Sequence, residues 1–283
     1  MLSARKANLI VGNSADEAVI ELHFPASSFL FERSSVFALT GADFSAAIDG
    51  HFIPLNKPIA VAENSILRFK RPVSGTRSYL SVSGGFEIPK WLNSYSTNFK
   101  AGIGGMHGSR LRKDDVIPFQ NKSFKSRVIK ELLPLTNAGD ENLPIMFLPG
   151  NEWDWLSATN KDDFLKPGFT ISHQADRMGY RLSGKQIYLK EKMDLVSSPV
   201  SFGTIQLLPD GNLILLMADH QTTGGYPRIG TVISAHHSIL AQKRPGDQIH
   251  FELTDILTAE KLLFHEEEEL LAIDHFFKNN FEK

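Results

Sequence analysis

Residues 204–217 read TIQLLPDGNLILLM, two apolar runs, IQLL and LILLM, on either side of Pro209-Asp210-Gly211-Asn212. That punctuation predicts a β-hairpin: proline presets φ, glycine accepts the left-handed region, and Asp and Asn side chains bond their own backbone. A second hairpin is predicted at Asp49-Gly50, between AAI and HFI. Elsewhere apolar residues alternate over short stretches, in Ile20-Leu22-Phe24, Leu67-Phe69, Leu80-Val82 and Ile249-Phe251-Leu253, the period of a half-buried strand.

Helical periodicity is confined to residues 4–11, closed by Gly12 at a C′ position, and to residues 258–277. In the second stretch Leu263, Leu270, Ile273 and Phe277 can share one face, and the glutamates at 266–269 read as a solvated face. Many strands and few helices predict a mainly β protein of barrel or sandwich type. A boundary is expected within residues 122–143, charged and punctuated by Pro and Gly before the apolar PIMFLPG. The expected organisation is an N-terminal mainly β subdomain, 1–135, and a C-terminal β subdomain with a terminal helix, 136–283. No fixed-period repeat argues for a solenoid or propeller.

With 283 residues and 42% hydrophobic content, the chain can bury a substantial core. Thirty basic against 32 acidic side chains give a formal charge of -2, so no global positive field exists to hold a nucleic acid or an anionic membrane. The absence of cysteine excludes disulfides, thiolate zinc, iron–sulfur clusters and a cysteine nucleophile, and makes a reducing cytoplasm the expected compartment. The opening MLSARKANLIVGN is too short and polar for a signal peptide, and no run approaches the ~20 apolar residues of a membrane span.

Four segments could carry chemistry. DHQTTGGYPRIG, 219–230, follows the apolar run 213–217 and gathers His220, Thr222, Thr223, Tyr226 and Arg228 around Gly224-Gly225. Such glycines let backbone approach a ligand, hydroxyls can donate to an oxyanion, and an arginine fork matches carboxylate or phosphate. A Gly-Gly turn anchored by tyrosine explains the same residues. In HQADRMGYRLSG, 173–184, Arg177 and Arg181 stand four apart and share a face whether the stretch is helical or extended, so both could meet one anion. Asp176 beside Arg177 reads equally as a structural ion pair. AGIGGMHGSRL, 101–111, is glycine-rich but lacks the Gly-Lys-Ser/Thr of a phosphate loop and the third glycine of a dinucleotide fingerprint. In TGADFSAAIDG, 40–50, Asp43 either orients a substrate nitrogen or caps a turn. No G-x-S-x-G or H-E-x-x-H motif occurs, no histidine pair has ligand spacing, and no bound metal is expected.

HQADRMGYRLSG and GTIQLLPDGNLILLMADHQTTGGYPRIGTVIS, 203–234, resemble the allophanate-hydrolase-subunit-2 family, also called the biotin-dependent-carboxyltransferase-like or KipA-like family, which includes the C-type subunits of 5-oxoprolinase. TGADFSAAIDG, RSYLSVSGGFEIP, AGIGG, MFLPG and RPGD extend the match in order along nearly the whole chain. The resemblance implies a cyclophilin-like β-barrel architecture and a subunit of an ATP-dependent 5-oxoprolinase that opens 5-oxoproline to glutamate, inactive alone. Its implied partners are a subunit-1 type (KipI-like) protein and a third, LamB/YcsF-type subunit, with ATP bound by this chain, by its partner or at their interface. Two other roles stay open, a binding module that antagonises or sequesters a partner protein, and a carboxyltransferase component related to urea carboxylase. Family members carry a Gly-Arg-Gly-rich segment before the position equivalent to Met1, which implies a missing strand and loop or a start placed late. Carried onto this sequence, the resemblance implies that Arg177, Arg181, His220 and Arg228 are catalytic. Asp43, Gly104, Gly105, Asp176, Thr222, Thr223, Gly224, Gly225 and Tyr226 would bind substrate. Arginines would hold a carboxylate or phosphate while backbone amides near Gly224-Gly225 stabilise an oxyanion.

Overall fold

A computed structural model describes residues 2–120, 143–166, 168–191, 193 and 195–281, the last three by backbone alone. The chain forms two compact units, residues 1–139 with 267–283, and residues 140–266. The expected boundary at 122–143, and the division at 135/136, fall almost wholly outside the described residues. No helix among the described residues is long and apolar enough to cross a membrane.

The first unit opens with helix α1 (Leu2–Ile10), followed by strands β1 (Ile20–Leu22), β2 (Phe29–Leu30), β3 (Ser35–Asp43), β4 (Ala46–Ile48), β5 (His51–Phe52), β6 (Ile59–Val61), β7 (Ile66–Phe69) and β8 (Ser74–Val82). They form two antiparallel sheets, ordered β1-β8-β3-β6 and β2-β7-β4-β5. Period-two alternation divides β3 between two cores. Phe37 and Leu39 join Leu80, Phe44 and Leu67, whereas Val36 and Ala38 meet Leu9 and Ile10 of α1 and the distant Leu270, Ile273 and Phe277.

Helix α1 ends as predicted. Gly12 takes φ +73, its N–H bonds to the Leu9 carbonyl, and the next N–H, of Asn13, reaches back to Asn8, a Schellman closure. Asp49-Gly50 turns at φ +48 and +92 between β4 and β5, a type I′ pattern.

The second unit contains β9 (Ile145–Pro149), α2 (Ala158–Leu165), β10 (Phe169–Ile171), β11 (Gly179–Ser183), β12 (Ser198–Pro199), β13 (Thr204–Leu207), β14 (Leu213–Leu216), β15 (Thr223–Gly224), β16 (Arg228–Val232), α3 (His237–Gln242), β17 (Gln248–Ile249), β18 (Phe251–Leu253) and the start of α4 (Ile256–Phe281). Eight strands run in the order β17-β10-β11-β14-β13-β16-β9-β18. The strands at the two ends are separated in sequence only by His250. One bent stretch therefore pairs with β10 on one side and with β9 on the other, which nearly closes the sheet into a barrel and leaves little open edge. Ile145, Phe147, Phe164, Leu182, Ile205, Leu215 and Phe251 fill its interior. The expected mainly β, barrel-containing fold is the one observed.

The terminal helix differs from the sequence reading in two respects. Residues 267 onward belong to the first unit, and Leu263 is exposed rather than sharing the face of Leu270, Ile273 and Phe277. The glutamate run is not merely solvated either: Glu267 binds Arg5 through both carboxylate oxygens, and Glu269 binds the buried Lys6 at 2.7 Å.

Candidate functional site

The predicted hairpin at 208–212 forms with Gly211 at φ +84, its N–H on the Leu208 carbonyl and the Leu208 N–H on Asn212. It joins β13 to β14, which pair in turn with β16 and β11. Arg181 of β11 faces Ile214 of β14, Ile214 faces Gln206 of β13, and Gln206 faces Arg228 of β16. Directly opposed residues of antiparallel strands project from the same face. Since Leu182, Ile205, Leu213 and Leu215 point into the core, the row Arg181–Ile214–Gln206–Arg228 lies on the outer face of the barrel.

A small ribbon, β12 paired with β15, covers part of this row. Gly224 comes so close that a Cβ there would stand 2.5 Å from Gln206 Nε2. The same face carries a cavity of about 510 Å³, lined by Arg181, Gln206 and Ile214 of the row, by Gln174, Asp176 and Met178 of one turn, by Leu208 and Asp210 of the hairpin, and by Gln221 and Tyr226.

Two carboxylates line the cavity, and both serve turns. Asp176 accepts the N–H groups of Met178 and Gly179 at 2.8 and 3.1 Å. Asp210 accepts the side-chain and backbone N–H of Asn212; those bonds, with a smaller contribution from the Arg181 charge, hold it below the usual carboxylate range. Arg181 is exposed and makes no ion pair within 4 Å among the described residues, so its guanidinium is available to an anion entering the cavity.

The other predicted arginines are engaged elsewhere. Arg177 lies in a turn before β11, neither helical nor in a strand, and its Nε and Nη2 bind the two oxygens of Asp219 at 2.8 and 3.3 Å. The expected convergence of Arg177 and Arg181 on one anion is therefore not formed. Arg228 turns away from the cavity to Glu152, which accepts its backbone N–H, Nε and Nη2 at 2.8, 3.0 and 2.8 Å. Burial pushes the Glu152 carboxyl up, but the hydrogen bonds and charge of Arg228 outweigh this and hold it below its ordinary value.

The shared pocket expected of His220, Thr222, Thr223, Tyr226 and Arg228 is accordingly reduced to Tyr226 at the cavity wall. His220 Nδ1 contacts the Gln221 carbonyl at 2.5 Å. Thr222 accepts the Val200 N–H through its own carbonyl, and Thr223 and Gly224 form β15. Gly225 packs beside Ser197 and the Leu195 carbonyl. Asp43 accepts the Ser45 N–H at 2.7 Å, the capping role. A Cβ on Gly104 or Gly105 would strike the Ser96 carbonyl or the Thr97 hydroxyl at 2.2 and 2.0 Å, so this loop closes on its own chain. Asp43, Gly104 and Gly105 all belong to the first unit, whereas the cavity belongs to the second. Sequence reasoning missed Gln174, Gln206 and Gln221. Only Gln206 carried a signal: a polar residue out of phase with Ile205 and Leu207 must face away from the core.

Residues 1–253 match the family model described as the carboxyltransferase domain, subdomain A and B. The chain is 37% identical over 254 residues to the C-type subunit of 5-oxoprolinase from Escherichia coli strain K12, spanning 89% of this chain and 80% of that protein. It is 34% identical over 262 residues to the C-type subunit of 5-oxoprolinase from Haemophilus influenzae, spanning 92% and 83%. The crystal structure of Kluyveromyces lactis urea amidolyase shares the fold, with a TM-score of 0.83 at 24% identity over 96% of this chain and 18% of that one.

Proposed function

The chain belongs to the carboxyltransferase-domain family, subdomains A and B, and from that premise we propose that it serves as the C-type subunit of a 5-oxoprolinase, with 5-oxoproline as the substrate of the outer-face cavity. The observation that carries this reading is Arg181, an exposed guanidinium with no ion-pair partner among the described residues at the wall of a cavity sized for a small molecule. A five-membered lactam bearing one carboxylate suits it: the guanidinium takes the carboxylate, Ile214 offers an apolar surface to the ring, and Tyr226, also at the wall, contributes a polar hydroxyl.

ATP, the cosubstrate in this reading, is assigned to the subunit-1 type (KipI-like) partner or to its interface with this chain. The Gly-rich loop at 101–108 is not counted as that site, because Gly104, Gly105 and Gly108 serve close packing against Ser96, Thr97 and Gly102 of the same chain. A LamB/YcsF-type subunit completes the hydrolase, and the assembly works in the cytoplasm.

The test is co-expression with these partners and measurement of 5-oxoproline-dependent ATP consumption. The intact assembly should consume ATP, this chain alone should not, and Arg181→Met should raise KM about 10- to 100-fold, the worth of one charge-assisted contact. No 5-oxoproline-dependent consumption by any combination would refute the proposal. Urea-dependent carboxyl transfer instead would support the second reading, a carboxyltransferase component, which rests on the fold shared with urea amidolyase.

A further inference from the structure

Gln206 is wholly buried, yet neither its Nε2 nor its Oε1 has a hydrogen-bond partner in the structure. A buried carboxamide with both ends unpaired opposes folding, and such groups are rare unless something outside the chain satisfies them. Gln206 lines the cavity, and it is two strands from Arg181 along the outward row, about 10 Å at ordinary strand spacing. Side chains as long as glutamine and arginine can meet a small molecule across that distance from its two ends.

We propose that Gln206 is the specificity-determining residue of the cavity and reads the edge of a cyclic amide. A ring forces its amide to be cis, so N–H and C=O lie side by side on one edge. A primary carboxamide presents the complementary pair, one N–H and one C=O, and the two edges join through two parallel hydrogen bonds. The ligand class is a small lactam carrying a carboxylate, its amide edge on Gln206 and its carboxylate on Arg181. Gly224 permits the arrangement, since any Cβ there would displace the carboxamide from beneath the ribbon. This inference rests on the 5-oxoproline reading for the identity of the ring, though not for the chemistry of its edge.

The experiment compares wild type, Gln206→Leu and Gln206→Glu, each as the full chain alone and with its subunit-1 type partner, by calorimetric titration. The probes are 5-oxoproline, its lactone analogue (ring oxygen replacing N–H), 2-pyrrolidinone and urea. Wild type should prefer 5-oxoproline over the lactone by at least about 100-fold, the discrimination expected of a site built to pair an N–H. Gln206→Leu should lose that preference while its thermal midpoint stays at or above that of wild type, because removing an unsatisfied buried amide does not weaken the fold. Gln206→Glu, which cannot donate when ionised, should lose 5-oxoproline binding as well.

The inference is overturned if Gln206→Leu binds 5-oxoproline within a few-fold of wild type while the wild-type assembly turns it over, in which case the 5-oxoprolinase reading stands. It is also overturned if no cyclic amide binds wild type in either form. If 2-pyrrolidinone binds in a Gln206-dependent way and 5-oxoproline does not, the amide-edge site is upheld and the substrate reading falls; binding of urea alone overturns the inference.

Discussion

Arg228 stands in the segment that sequence reasoning marks as catalytic, but the structure uses it as a strut. Its guanidinium and backbone N–H give three hydrogen bonds to Glu152, and the two side chains are only 21% and 5% exposed. Arg228→Met leaves the carboxylate buried without its counter-charge, holding only the backbone N–H of residue 228. Breaking a buried pair in this way costs about 3–5 kcal/mol, and the partial exposure of Arg228 puts the expectation at the lower end. For a unit of this size, about 3 kcal/mol lowers the melting temperature by roughly 10 °C. Glu152→Leu combined with Arg228→Met should recover most of the loss, since apolar replacement of a whole buried pair is about neutral. The sign with pH follows from the lowered Glu152 pKa: the pair stabilises fully above the ordinary value of 4.5 and loses its contribution as pH falls through the folded-state value. Glu152→Gln should remove that acid-side loss. Thermal melts followed by circular dichroism at pH 7 and pH 4 measure all three variants, and KM for 5-oxoproline is measured well below the melt. An Arg228→Met protein destabilised by less than about 1 kcal/mol, but with KM raised tenfold or more, would refute the strut and restore Arg228 to the substrate.

Three further outcomes are expected. Burial pushes His237 down to about 4, so the folded chain stays neutral there while the unfolded chain takes a proton below about 6.5; stability should fall by up to about 3 kcal/mol between those values, and urea melts of His237→Gln should lack that component. Glu269→Gln removes the charge facing the buried Lys6 ammonium and should cost about 2 kcal/mol at neutral pH, more than Lys6→Met in the same denaturant titration. Gly230→Ala would set a Cβ 2.5 Å from the Phe147 ring, itself packed against Trp153, Phe164 and Phe251; overpacking of about 1–3 kcal/mol should appear as a lower urea midpoint with unchanged slope.

The parts legible in the sequence are those whose chemistry is local. Gly211, Asp49-Gly50 and Gly12 each adopt the positive φ that their turn or cap requires, and that requirement involves only a few neighbouring residues. Closure of the barrel is different in kind. It depends on 248–253 pairing with β10 through its first residues and with β9 through its last, and nothing in the alternation of Ile249, Phe251 and Leu253 says that the stretch bends at His250 to serve two partners. The same alternation does place Gln206 on the face opposite Ile205 and Leu207, yet it cannot show that the carboxamide ends without a partner.

The three arginines of the candidate segments make the distinction sharper. In sequence they look alike, each within three residues of a glycine and a tyrosine. The nearest acids to the cavity, Asp176 and Asp210, are taken by the N–H groups of their own turns, a local outcome. The acids that capture the other two come from far along the chain, Asp219 from 42 residues beyond Arg177 and Glu152 from 76 before Arg228. Arg181 stays out of any ion pair because strand pairing sets it opposite Ile214, which offers no charge, and because no remote carboxylate among the described residues reaches it. Which arginine is left without an ion pair is thus decided by long-range pairing that occupies the other two, and a motif shared by all three can only nominate them.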